Sequence, residues 1–140
     1  MKIVALDIGT VRIGVATSDI MEIIASAYTV YKRKNNSSDI DYIAKLIQDL
    51  QAGEVVIGLP LKMDGTEGQS VAMAREFGEK LSEKISIPII FQDERLSTVS
   101  AQKILIESGM RREKRKEKVD SLAATFILQN YLDKKSNKKG

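Results

Sequence analysis

Cysteine and histidine are both absent from these 140 residues. Without cysteine there are no disulfides, thiolate nucleophiles, zinc-thiolate sites or iron–sulfur clusters. Without histidine there are no imidazole bases, no Ser-His-Asp triads and no histidine metal ligands. Any chemistry must run on carboxylates, hydroxyls, amines and hard metal ions. Long apolar runs are missing too: nothing approaches the roughly 18 residues of a membrane span. The start, MKIVALDIGT, places one lysine before a short apolar run broken by Asp7, without the h-region of a signal peptide. A soluble, cytoplasmic protein with no membrane partner is expected.

What is there is ordinary for a globular protein: 43% apolar and 29% charged residues. The length suits one domain with a full core and is short for two. The net charge of +3 hides an asymmetry. Residues 111–140 hold ten Lys/Arg against four Asp/Glu, a surplus of six positive charges, which leaves the first 110 residues at −3. A basic C-terminal part on a slightly acidic body points to a polyanionic partner, or to a solvated helix face with a frayed tail.

Residues 3–8 (IVALDI), 12–18 (RIGVATS) and 25–31 (ASAYTVY) read as three extended runs with short polar connections, an antiparallel meander. After the loop KRKNNSS, residues 39–50 place Ile40, Ile43, Ala44, Ile47 and Leu50 at helical spacing, with Ser38 or Asp39 as cap. Val55–Ile57 reads as a central strand buried on both faces. Thr66 and Gln69 have the spacing of a capping box, opening a helix to about Lys84. A second buried strand is expected over 88–92, and a helix from Ser97 or Thr98 to Gly109 with Ala101, Ile104 and Leu105 inward. The basic run MRREKRKEK follows, then a last helix over about 119–132 and a tail, KKSNKKG. The order β-β-β-α-β-α-β-α-α predicts one mixed five-stranded sheet with helices on both faces. Four tyrosines and three phenylalanines form no evident aromatic platform, so stacking of single-stranded bases is not expected.

Three acids stand at element ends. Asp7 interrupts the apolar first strand, where an unpaired charge would be costly to bury and a metal ion would resolve that cost; an Asx cap of the Gly9-Thr10 turn is the plainer reading. Asp93-Glu94 follows the strand at 88–92, which is expected near the sheet centre beside the first strand, so the ends of both converge on one crevice. Alternation turns only one of the two toward Asp7; a charged turn that caps the next helix is the rival. Asp120 begins the last helix, one turn from Ala123-Ala124, whose small side chains let the helix approach the sheet; complementing the helix dipole would equally explain it. Together, three carboxylates at one sheet edge suit an oxygen-ligand site for Mg²⁺ or Mn²⁺, which relieves their mutual repulsion. Two such ions hydrolyse phosphodiesters without histidine or cysteine.

LDIGTVRIGVATSD at 6–19, VVIGLPLKMDGTEG at 55–68, FQDERLST at 91–98 and KVDSLAATFIL at 118–128 resemble, in order and spacing over residues 3–132, the YqgF-type family. Its members are described as Holliday junction resolvases and as pre-16S ribosomal RNA nucleases. The resemblance implies an α/β RNase H-like fold over residues 1–133, with 134–140 a basic, disordered tail. It implies a three-carboxylate site of Asp7, Glu94 and Asp120, and it is the family pattern that selects Glu94 over Asp93. Arg12, Lys62, Arg95, Arg111 and Arg112 are candidates for phosphate contacts, since a guanidinium fork matches a pair of phosphate oxygens. Arg95 leads them, against the alternative of a salt bridge to Asp93. The implied partners are precursor rRNA or branched DNA and ribosomal precursor particles, bound by a monomer or homodimer. Asp-Ile-Gly-Thr at 7–10 also resembles the first phosphate loop of actin-like ATPases and sugar kinases, but their second domain and second Gly-rich loop have no counterpart here. A non-catalytic nucleic-acid- or ribosome-binding module would need the basic C-terminal region and not the acids.

Overall fold

The computed structural model describes residues 1–60, 68–93 and 112–139, with side chains left aside for 112–121 and 137–139. Strands β1 (Ile3–Ile8), β2 (Arg12–Ser18) and β3 (Ala25–Lys32) form the expected antiparallel meander. Helix α1 (Asn36–Asp49), β4 (Glu54–Leu59), α2 (Gln69–Ser82) and β5 (Ile89–Asp93) follow, and α3 (Arg112–Lys139) comes last. The five strands make one mixed sheet in the order β3-β2-β1-β4-β5, with β4 parallel to β1 and β5 parallel to β4.

Side-chain alternation divides β1 between two cores. Val4, Leu6 and Ile8 point to the layer of α1 and α2, where Ile43, Ile47, Val71, Phe77 and Leu81 pack. Ile3 and Ala5 point to the other face and meet Ala124, Ile127, Leu128 and Leu132 of α3. Burial on both faces explains why β1 and β4 read as nearly continuous apolar runs. Ala123 and Ala124 are fully buried, as the small-residue argument requires. No described helix is long and apolar enough to cross a membrane.

Several expectations shift. The strand at 88–92 is not central: β5 forms the sheet edge, and Ile89, Ile90 and Phe91 are only half-buried. An apolar edge strand covered on one face reads like a central one. Helix α1 starts a turn early, because the Asn35 side chain accepts from the Ser38 amide at 2.9 Å and takes the cap that Ser38 or Asp39 was expected to supply. The cap of α2 is Gly68, with no side-chain bond; Thr66 lies outside the described residues. Helix α3 absorbs residues 112–118 of the basic run and continues through 134–139, where a disordered tail was expected. Lys135 anchors that extension, donating to Glu22 at 2.7 Å and Glu54 at 3.4 Å. The expected helix with Ala101, Ile104 and Leu105 lies outside the described residues.

Candidate active site at the C-terminal edge of the sheet

Asp7 stands one residue before the end of β1, the central strand, on the face that α3 covers, and is partly buried. Its partner across the β1–β2 ladder is Gly14. On the other side, the parallel register pairs Leu6 with Ile57, so Gly58 stands next beside Asp7. The carboxylate is thus flanked in both neighbouring strands by residues with no side chain. Gly58 in turn pairs with Gln92 of β5. A row Gly14–Asp7–Gly58–Gln92 crosses the sheet on one face, and neither glycine was singled out from the sequence.

Gln92 is buried, and its Nε2 donates to the Ile127 carbonyl of α3 at 2.9 Å. That bond orients both elements. Gln92 faces α3, whereas Phe91 packs into the opposite core, so alternation sends Asp93 away from the Asp7 face. It also fixes the direction of α3. Ile127 lies by the end of β5, while Tyr131 bonds Glu54 at the start of β4. The helix therefore descends from the edge where β1, β4 and β5 end. Position 120 precedes Ile127 by seven residues, about two turns, up toward that edge.

The turn after Asp7 is clamped. The Gly9 amide donates to the Arg12 carbonyl at 2.9 Å, and a Cβ on Gly9 would lie 2.7 Å from that oxygen, so only glycine fits. Arg33 holds the turn from below. Its main-chain N–H donates to Val11 O at 2.8 Å and its Nη1 to Gly9 O at 2.9 Å. Nε bonds Asp39 Oδ2 at 2.9 Å and Nη2 bonds Asn36 Oδ1 at 2.8 Å, while the guanidinium lies over the Phe77 ring. Burial pushes the Asp39 carboxyl up, but the Lys34 amide, the Arg33 guanidinium and the Tyr31 hydroxyl outweigh it and hold the group below its ordinary range. In the sequence Arg33 sits within KRKNNSS and reads as solvated loop; an acid six residues on, at helix start, was the available signal.

Arg12 opens β2 directly opposite Lys32 of β3, close to the turn. Glu94, Lys62, Arg95 and Arg111 lie outside the described residues, and Asp120 and Arg112 belong to α3 as positions whose side chains are not described. Among the described residues no three acids gather into a metal-binding cluster. Asp7 is thus the described member of the expected set, a hard oxygen donor flanked by Gly14 and Gly58.

A family model described as RuvX, Holliday junction resolvase, matches residues 1–134. A Thermoanaerobacter pseudethanolicus protein named "Putative pre-16S rRNA nuclease" is 48% identical over 99% of this chain and 100% of its own length. A Syntrophomonas wolfei protein of the same name is 44% identical over 95% of this chain and 94% of its own. Among solved structures, T. thermophilus RuvC in complex with a Holliday junction superposes with TM-score 0.60 at 11% identity, covering 97% of this chain and 96% of that one. The fowlpox virus resolvase, in complex with Holliday junction DNA, superposes with TM-score 0.55 at 14% identity, over 96% and 98%. These likenesses show an RNase H-like fold, and with the family match they close the question of kinship: the chain belongs to the RuvX Holliday junction resolvase family.

Proposed function

We propose that the chain is a metal-dependent endonuclease that hydrolyses phosphodiester bonds of structured nucleic acid in the cytoplasm, in maturation of the 5′ end of the 16S rRNA precursor, in resolution of Holliday junctions, or in both. Residues 1–133 are the nuclease unit on this reading. The observation that carries it is Asp7, an acid at the end of the central strand, flanked by Gly14 and Gly58 at the edge from which α3 descends. Family membership and the names of the relatives support the reaction class.

Asp7, Glu94 and Asp120 would hold Mg²⁺ or Mn²⁺ through carboxylate oxygens, the donor type these ions prefer. The choice of Glu94 over Asp93 rests on the family pattern, and the turning of Asp93 away from the Asp7 face agrees with it. Two bound ions would supply Lewis acidity, to make water nucleophilic at neutral pH and offset charge on the leaving oxygen, a task no histidine is present to share. The water oxygen forms the new bond to phosphorus, the bond from phosphorus to O3′ breaks, and the departing oxygen takes a proton, leaving a 5′-phosphate and a 3′-hydroxyl. Arg12, Lys62, Arg95, Arg111 and Arg112 hold neighbouring phosphates. Incubating the purified protein with Mn²⁺ and either a 16S precursor fragment or a four-way junction tests the reaction and ranks the substrates. Cleavage of one or both with a 5′-phosphate product supports the reading. Binding of both substrates without cleavage by folded protein favours the non-catalytic module.

A further inference from the structure

Two strands away from Asp7, the fold collects aromatic residues that the sequence scatters. Of the four tyrosines, Tyr28 and Tyr31 lie on β3 and Tyr42 on α1. Tyr31 and Tyr42 stack, their ring centroids 4.2 Å apart and planes 13° from parallel. Beside this pair is an open concavity of about 650 Å³ lined by Tyr28, Thr29, Tyr42, Lys45, Leu46 and Asp49. Three features show that it is built. First, Tyr42, Lys45, Leu46 and Asp49 lie at i, i+3, i+4 and i+7 on α1, one helical face. Second, Ala27 and Thr29 pair with Ala16 and Val15, leaving Tyr28 as the extra residue of a bulge. Regular alternation would send Tyr28 and Thr29 to opposite faces; the bulge lets both line the concavity. Third, the Tyr31 hydroxyl bonds Asp39, which fixes the inner ring of the stack to the Arg33 clamp.

Two large aromatic side chains remain exposed there, Tyr28 at 51% and Tyr42 at 42%. Exposed rings beside a lysine match a base and its phosphate: every base offers a π-face, and a cation tracks the backbone. The charges agree. Lys45 lies in the concavity, and Lys32 and Lys34 flank Arg33, which bonds the turn after Asp7. Asp49, one turn beyond Lys45, would repel phosphate and confine the backbone to the lysine side. Resting on the nuclease reading above, we propose that this concavity binds a single-stranded segment of the nucleic acid substrate, with a base against Tyr42 or Tyr28 and a phosphate beside Lys45. A duplex keeps its bases stacked inside and cannot use the rings. The substrate class follows: structured nucleic acid with an unpaired segment that reaches the α1 face of the sheet, opposite the face that bears Asp7.

Because the variants remove tyrosines, the reporter is placed on the nucleic acid, as a 5′-fluorescein label read by anisotropy. A labelled twelve-nucleotide single-stranded RNA in chelator is titrated with the wild-type protein, and the same sequence is titrated separately as a blunt duplex. A saturable rise in anisotropy with the single strand is expected. Tyr28→Leu/Tyr42→Leu should weaken that binding about tenfold or more, since one stacked base is worth about 1–3 kcal/mol. Tyr28→Phe/Tyr42→Phe should restore it, and duplex affinity should be the same in all three proteins. The rings are surface groups, and circular dichroism confirms that each variant is folded. Equal single-strand affinity in the leucine variant and wild type overturns the proposal and leaves the nuclease reading intact. Failure of single strand, duplex and four-way junction alike to bind overturns both.

Discussion

Arg33 reaches the carbonyl oxygen of Gly9 with its Nη1 at 2.9 Å, across 24 residues of sequence. Because its main-chain N–H also holds Val11 O, one residue secures both sides of the turn that follows Asp7. The clamp is itself fixed by Asp39, which is 1% exposed. The turn is thereby tied to β3 and α1, a support that a carboxylate needs if it is to hold a ligand at fixed geometry.

This pair sets the first prediction. Asp39→Ala leaves the Arg33 guanidinium, 11% exposed, without its counter-charge, and breaking a buried pair on one side costs about 3–5 kcal/mol. Urea unfolding should show a loss in that range, and a change under 0.5 kcal/mol would contradict the assignment. The pH dependence has a definite sign. Asp39 is held below its ordinary value of 3.8 when folded, so its contribution is present above that value and is lost as pH falls from about 4 through the lower folded value. Acid unfolding of Asp39→Asn should be shallower than that of wild type in this window.

A second prediction concerns Gly78, buried on α2 where it crosses the sheet. In an exposed helix, Gly→Ala stabilises by about 1 kcal/mol. Here the new Cβ would lie 2.6 Å from Phe91 Cζ and 3.2 Å from Ile57 Cδ1. Overpacking of this kind costs about 1–3 kcal/mol. Gly78→Ala should therefore lower the melting temperature, and a raised one would mean that the Phe91 ring moves freely aside.

The third prediction addresses the basic run at 111–116, of which 112–116 belong to α3. Reversing charge at Arg111, Arg112, Lys114, Arg115 and Lys116 should weaken nucleic-acid binding and flatten its salt dependence. Each lost phosphate contact removes about 0.9 from the slope of log affinity against log salt on duplex DNA. Identical slopes for variant and wild type would remove this segment from the binding surface.

Much of the fold was legible because it is local. The meander shows in short alternating runs with polar turns, and Asp7 shows as one acid inside an apolar strand. What was not legible depends on distant partners. The edge position of β5 follows from sheet order, and Ile89–Phe91 would read alike in the centre. Arg33 hides within a lysine- and asparagine-rich loop until the fold brings Gly9 and Asp39 to it. Asn35 outcompetes Ser38 for the cap of α1 by reaching the Ser38 amide, which a choice between neighbouring polar residues does not reveal. Tyr28, Tyr31 and Tyr42 become one surface only through a bulge and the docking of α1.

A fourth prediction isolates the metal from catalysis. A ligand that binds only the folded state raises stability in proportion to the logarithm of its concentration over its dissociation constant. Millimolar Mn²⁺ should raise the wild-type melting temperature, and Asp7→Asn/Glu94→Gln should lose the shift. An unchanged wild-type curve would count against a carboxylate site.

The most direct measurement of the central claim is cleavage of a 16S precursor fragment and a four-way junction by wild type and Asp7→Asn, each with Mn²⁺ and with excess chelator. The account predicts a 5′-phosphate product from wild type with metal alone. Asp7→Asn should be folded, should bind nucleic acid as wild type does, and should be inactive, because the change removes a ligand oxygen and almost no volume. Cleavage that survives chelation, or that Asp7→Asn performs at near wild-type rate, would contradict it.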